Sequence, residues 1–503
     1  MRAIATLALL IVSAGCSVRR QPVQMPSALV PAIAREMAAA DALVRDGCYD
    51  CLTEALAEYR RLAVAHESAA AEAGARRTAG LLAIRERELG LVEQGHLAAA
   101  LDGANAGDSL LWDAIATLPR RSVGVRRLGS EADLEAMRTA KENQETWTAQ
   151  LAEERDQHAL AAVTALVFAC TYPVPRVGPD RPTDRVTRFD DTPLVLFTTA
   201  TCPPIDDRAL SALLEADPRF AEIEYFLGVA ATLNGDLEAA DRNLQRALAW
   251  RRDWPAAMFA VANVAMTAED FDRAAAFYEE TLTLVPGNPD AELGRVRALS
   301  YGGKYVAALD GADRLLAGNW HTGNAYYWRA WNAAQLNQNE EAWADIEKAA
   351  TLIFNAEVPK LTGMLATRRG DYGRAHEEFI LARTRNPDDC ETAVLLGGVH
   401  LDLRSWSDAA SVLTDALGCL DRHDEDLRAA IARLLAMSGR GLVAAHREQQ
   451  LLINGRLRAQ SSFNLAVAAV NLGDVETARL HAARVTGDER FADRALLLLQ
   501  QLK

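Results

Sequence analysis

Residues 221–286 read AEIEYFLGVAATLNGDLEAADRNLQRALAWRRDWPAAMFAVANVAMTAEDFDRAAAFYEETLTLVP. Two similar halves lie in that stretch. Each holds an apolar helix-like run, a small or polar residue, an aromatic or leucine two places on, and an alanine three beyond that. The anchoring alanines here are Ala240 and Ala274, and the series continues through Ala308, Ala342, Ala375, Ala409, Ala444 and Ala478. Successive spacings along it are 34, 34, 34, 33, 34, 35 and 34. A constant period near 34 belongs to stacked helical hairpins, in which no single unit buries enough apolar surface to stand alone.

The residue types around the alanines follow from that packing. Leu227-Gly228 and Leu396-Gly397 supply a small residue where two helices cross. Gly235, Gly303, Gly370, Gly439 and Gly473 fall at the turn inside the hairpin, and Phe271, Tyr305, Tyr372 and Trp406 follow it. Tyr278 and Phe379 sit one helical turn past their alanine, and Pro286 and Pro387 end second helices, because proline lacks the N–H and fixes φ. Over residues 221–492 this pattern resembles the tetratricopeptide repeat family. The resemblance implies an all-α fold, a right-handed solenoid of about eight helical hairpins. Asn337 and Arg404 replace the turn glycine, Gly441 replaces the aromatic, and Glu448 stands at an apolar position. The repeat at 425–458 therefore fits least well.

Four segments are expected in all: a leader at 1–15, an N-terminal helical domain with degenerate repeats at 16–172, a proline-rich linker at 173–205, and the solenoid at 206–503. Helical periodicity runs over 31–65, 67–106, 109–118 and 131–169. Gly47-Cys48-Tyr49 and Gly95-His96 look like hairpin turns. Seven prolines between Tyr172 and Pro204 argue against a helix there. Leu194-Val195-Leu196-Phe197 within that stretch reads as a short strand or a buried plug.

The leader reading starts from MRAIATLALLIVSAGC, with Arg2, a ten-residue apolar run over 3–12, then small residues before Cys16. It resembles a bacterial lipobox, with Ser13 where an aliphatic residue is usual. The resemblance implies lipidation at Cys16 and an outer-membrane protein facing the periplasm. Ordinary cleavage after Gly15 is the other reading. The remaining six cysteines are even in number and suit an oxidising compartment. Spacing suggests Cys48 with Cys51, Cys170 with Cys202, and Cys390 with Cys419, each pairing open to alternatives.

Lys plus Arg total 54 and Asp plus Glu 69, a net charge of −15, which makes a poor candidate for a general nucleic-acid binder, and no nucleic-acid partner is expected. No phosphate loop, dinucleotide fingerprint, HExxH or GxSxG occurs, and neither a cofactor nor a metal is expected. The acidic stretch Asp421–Asp426 reads as the negative start of a helix, with a cation site as the alternative, and Pro119–Arg127 as a solvated basic loop, with contact to anionic lipid or an acidic partner as the alternative. The family resemblance places inner-face positions at Tyr225, Phe259, Asn263, Arg297, Tyr301, Tyr327, Trp331, Lys360 and Arg368. Tyr327 and Trp331 are four apart and share a helical face. Aromatics interspersed with Asn and Arg suit a protein-binding groove. The expectation is a non-enzymatic, lipid-anchored scaffold that holds a protein or peptide in its concave face, in an envelope assembly, secretion or export machine. The alternative is a substrate-binding lipoprotein for a glycan or small molecule.

Overall fold

A computed structural model describes residues 29–92, 94–103, 192–202, 205–435 and 441–502. Among them every regular element is an α-helix. The N-terminal helices are α1 (Leu29–Asp46), α2 (Tyr49–His66), α3 (Ala69–Leu89), α4 (His96–Leu101), α5 (Pro193–Thr201) and α6 (Asp207–Ala216). The array then runs in antiparallel pairs: α7 (Ile223–Leu233) with α8 (Leu237–Trp250), α9 (Pro255–Thr267) with α10 (Phe271–Leu284), α11 (Pro289–Tyr301) with α12 (Tyr305–Ala317). It continues with α13 (Thr322–Gln335) and α14 (Asn339–Leu352), α15 (Glu357–Arg369) and α16 (Tyr372–Arg385), α17 (Cys390–Asp402) and α18 (Trp406–Leu435). The last helices are α19 (Gly441–Leu472), α20 (Val475–Arg484) and α21 (Ala492–Gln501).

The local chemistry sets the hairpin turns. Asp236, Asp270, Asp371 and Asp474 each accept the backbone N–H three residues on, which caps the second helix of the hairpin. The residue before each cap has positive φ: Gly235, Glu269, Gly370 and Gly473. Asn337 and Arg404 take the same left-handed conformation, at φ 59° and 58°, where the sequence lacks glycine. Ala240, Ala274, Ala308, Ala342, Ala375, Ala409 and Ala478 are all fully buried. The side chain of Ala444 lies outside the described part. At the helix crossings a Cβ on Gly228 would stand 2.6 Å from Leu244, and one on Gly397 2.5 Å from Leu413. Only glycine permits that approach.

Three expectations are corrected. First, the periodicity over 31–65 is two helices, split at the turn read at Gly47-Cys48-Tyr49, which is present with φ 74° at Gly47. A Cβ there would also collide with Leu194. Second, Leu194–Phe197 belongs to α5, neither strand nor linker, while its reading as a buried plug holds for Leu194, Val195 and Phe197. Pro193 tops the first turn, where its missing N–H costs nothing, and Leu194 and Phe197 are buried. Third, the hairpin expected over 425–458 has no break at either end. Its first helix continues α18, of 30 residues, and its second runs into α19, of 32. Pro255, Pro286-Gly287 and Pro387 stand at three of the other seams, whereas those at 318–321 and 353–356 break without proline, so a missing proline is not by itself what joins these helices. Asp424 is therefore mid-helix and buried rather than at a helix start, and bonds Asn454 at 2.8 Å and Arg458 across the pair.

The N-terminal hairpins pack directly on the first repeats. One apolar core runs from Cys48, Leu52 and Leu82 through Phe197 and Phe220 to Phe226, Trp254 and Val261. Trp254 Nε1 donates to Leu89 O at 2.6 Å, and Trp250 Nε1 to Asp50 at 3.1 Å.

Candidate partner-binding face

The aromatics of α11 and α13 converge. Tyr301, the last residue of α11, stacks on Phe271 with ring centroids 5.5 Å apart. It meets Trp328 edge-on at 5.4 Å and Trp331 at 6.3 Å. Trp331 meets Tyr305 at 5.7 Å, and Tyr327 meets Trp328 at 5.2 Å. Three of the inner-face residues read from sequence, Tyr301, Tyr327 and Trp331, are thus one cluster. Tyr301 is 49% exposed, Tyr327 and Trp331 are half-buried, and Trp328 is buried beneath them. Burial, then Glu357 and Tyr301, holds the Tyr327 phenol above its usual range. Trp328 was missed by the inner-face positions, although it completes the Tyr326-Tyr327-Trp328 run. Asn332 was also missed. It is buried and donates to Ser300 Oγ at 2.8 Å, which bolts α13 to α11 under the rings.

Asn263 and Phe259 lie one repeat earlier and are joined through Tyr278. Tyr278 OH donates to Asn263 Oδ1 at 2.7 Å, and its ring meets Phe259 at 5.4 Å. Burial pushes the Tyr278 phenol up to about 12, against the pull of Arg297. Arg297, one turn before Tyr301, is exposed and makes no ion pair among the described residues.

The other three residues are placed differently. Tyr225 is not on an open surface: it is buried against Trp254 at 4.9 Å, within the core shared with the N-terminal helices. Those helices cover the first repeat, which sequence periodicity could not foresee. Lys360 is not a free cation. Its Nζ lies 2.8 Å from Asp389 and 2.7 Å from Glu391. Burial pulls its ammonium down, but Glu391 and Asp389 outweigh it and push it up to about 12. Arg368 is exposed and reaches back one repeat to donate to Ala334 O at 2.7 Å.

A second polar cluster lies between the N-terminal hairpins and the first repeat. Arg85 donates to Glu222 Oε1 at 2.9 Å, and the Tyr49 N–H donates to the same oxygen at 2.8 Å. Glu86 Oε1 accepts from Tyr49 OH at 3.2 Å and lies 2.7 Å from His96 Nδ1. Burial pushes the Glu222 carboxyl up to about 6, with Arg85 pulling the other way. Arg85 and Glu222 are sealed from solvent, and the guanidinium lies 3.7 Å from the Phe197 ring centroid. This geometry joins two parts of the chain and gives a substrate no approach to Arg85 or Glu222.

Cys48 and Cys51 form a buried disulfide with Cα atoms 4.9 Å apart, and Cys390 and Cys419 form another at 5.7 Å. Cys202 is also disulfide-bonded. Cys16, Cys170 and the basic stretch 119–127 lie outside the described residues. Among the described residues no helix is long and apolar enough to cross a membrane.

No family model and no curated protein matches the chain. Solved structures do. A tetratricopeptide repeat protein from Parabacteroides merdae is 15% identical, covering 59% of this chain and 99% of its own, with a TM-score of 0.37. The Cut9–Hcn1 hetero-tetramer of APC/C aligns at 12% identity, 90% and 93% coverage and a TM-score of 0.41. YrrB, described as a TPR protein with an unusual peptide-binding site, aligns at 20% identity, 37% and 97% coverage and a TM-score of 0.29. These superpositions are too loose to argue from. The chain's own 34-residue period, its paired antiparallel helices and its buried anchor alanines make it an α-helical solenoid of tetratricopeptide-type hairpins.

Proposed function

We propose that this chain is an interaction scaffold that holds a protein or peptide segment along the first helices of its central repeats. The single observation behind the reading is the Tyr301 ring, half exposed on a packed aromatic bed, one helical turn from the exposed Arg297. A rigid aromatic anchor with a cation beside it is the residue combination that dominates protein interfaces. Its support is pre-organised: Asn332 and Trp328 fix the rings before any partner arrives, so little side-chain entropy is lost on binding. Lys360 contributes by joining α15 to α17 through Asp389 and Glu391.

The same proposal includes the address. Lipidation at Cys16 would hold the scaffold at a bacterial membrane, facing the periplasm, where an envelope assembly, secretion or export machine is the setting in view. The support is the apolar run and small residues of the first sixteen positions. Two measurements test these parts separately. A photo-reactive residue at Tyr301 should give a discrete adduct in detergent-solubilised membranes, and the same residue at Glu280, on the exposed side of α10, should not. No adduct at 301, or equal adducts at both sites, refutes the face. Cys16→Ser should move the protein out of the membrane fraction, and unchanged fractionation refutes the anchor.

A further inference from the structure

We propose that Cys390, Cys419 and His423 form a thiolate–imidazole site for Zn2+ or a similar borderline ion whenever their disulfide is reduced. Cys390 opens α17, and Cys419 and His423 lie four residues apart on one face of α18. The two Sγ atoms and a His423 ring nitrogen all fall within 4.8 Å of one another. Cys390 Sγ is 3.5 Å from His423 Nδ1. With Zn–S of about 2.3 Å and Zn–N of about 2.0–2.1 Å, a tetrahedral ion sets the S···N edge at about 3.5 Å. That edge is already present. The S···S edge of such a site is about 3.8 Å. The two cysteine Cα atoms, 5.7 Å apart, reach it by side-chain rotation once the S–S bond is gone. The Asp388 carbonyl oxygen stands 3.8 Å from each sulfur and faces the remaining position, which it or a water fills.

The chemistry balances with one external redox couple, a dithiol and its disulfide. A dithiol reductant gives up two electrons and two protons to the Cys390–Cys419 bond and itself closes to a disulfide. The two thiols then lose two protons as they take up Zn2+, and His423 binds through its neutral imidazole. An exchanging disulfide takes the two electrons from the thiolates, becomes a dithiol as the S–S bond re-forms, removes both ligands and releases the ion. The three residues thus have two exclusive states, cross-linked or metal-bound. The half-buried imidazole beside Cys390 is the difference between this bridge and the one at Cys48–Cys51, whose buried backbone cap includes no histidine.

The test uses the full chain, reduced with a phosphine under anaerobic conditions and titrated with Zn2+ against a chromophoric chelator. Reduced wild type should hold one equivalent more than a reduced Cys390→Ser, Cys419→Ser double variant, and oxidised wild type should hold none at this site. Metal should protect Cys390 and Cys419 from alkylation. His423→Gln keeps both thiols, and should weaken the site by at least the roughly 100-fold that loss of an outer-shell partner can cost, while oxidised stability stays unchanged. Co2+ in place of Zn2+ should give a thiolate charge-transfer band that His423→Gln diminishes. Equal zinc in reduced wild type and the double variant overturns the proposal, as does full affinity in a folded His423→Gln protein.

Discussion

Gly397 and Gly398 are neighbours in the middle of α17, and replacing each with alanine should move stability in opposite directions. Both substitutions remove the backbone entropy of a helical glycine, a gain of about 0.5–1 kcal/mol. They differ in what the new methyl meets. At Gly398 nothing lies within 4 Å of the added Cβ. The gain stands alone, and Gly398→Ala should stabilise α17 by about 0.5–1 kcal/mol. At Gly397 the Cβ would lie 2.5 Å from Leu413 Cδ2 and 2.6 Å from Cγ. Leu413 is fully buried among Ala409, Leu465 and Ala468, so it has nowhere to go. Overpacking of this kind costs about 1–3 kcal/mol. An approach this close takes the upper part of that range, and the net effect is a loss of about 1–2 kcal/mol. A solenoid need not unfold in one step, so the readout is hydrogen exchange of α17 and α18 peptides together with urea midpoints. The two variants should differ by about 2 kcal/mol, with wild type between them. If both shift the same way, the helix crossing is looser than drawn and glycine is not required at 397.

Four further outcomes follow from the same contacts. Tyr301→Ala should weaken partner capture by about 30-fold, the equivalent of about 2 kcal/mol at an interface anchor, with a melting temperature also lowered by the loss of its contacts with Phe271, Trp328 and Trp331, so capture is compared at a temperature where both proteins are folded. Trp331→Ala should lower both, because its ring also packs on Tyr305 and Trp328, and an inert Tyr301→Ala would move the face elsewhere. Arg85→Met strands the buried Glu222 and should destabilise by about 3–5 kcal/mol in urea titration, whereas Arg85→Met with Glu222→Gln should recover much of that; equal losses would show that the pair is not the junction. Arg404→Gly relieves a left-handed arginine at φ 58° and should raise stability by up to about 1 kcal/mol, while a loss would mean the turn does not strain. Burial, then His376, depresses the His400 imidazole. The unfolded chain therefore takes up this proton first, and stability should fall as pH drops below about 6.5. His400→Gln should flatten that limb, and an identical limb in the variant would assign it to other groups.

The array was legible because its signal is periodic and local. A fully buried alanine every 34 residues, a left-handed turn residue and an aspartate cap repeat often enough to survive substitutions at Asn337 and Arg404. Breaks between repeats carry no such redundancy. The chain runs on as helix through the seams near 422 and 458, whereas it breaks at 318–321 and 353–356, which lack proline as well, so proline content does not mark the breaks. The alanine ladder continues in phase through a region whose helices do not break, since period reports packing rather than chain termination. Proline counting failed in the same way at α5: Pro193 starts a helix that a tally over 33 residues excludes.

The proposed face was legible only where its residues share one helix or adjacent repeats. Tyr301, Tyr327 and Trp331 follow from position alone. Tyr225 and Lys360 have the same positional credentials and different fates, because non-local groups decide them. Tyr225 is buried against Trp254, whose indole bonds Leu89 at a separation of 165 residues. Lys360 is neutralised by carboxylates 29 and 31 residues on. A repeat motif specifies which face a side chain takes, whereas its availability depends on what the next repeat, or the docked N-terminal hairpins, bring to it. Arg297 illustrates the other side of this argument. It has the position of Lys360 in kind, but no carboxylate among the described residues reaches it, so its charge is still free to meet a partner. Adjacent to Tyr301, that charge makes the centre of α11 the part of the solenoid where positional and non-local constraints agree.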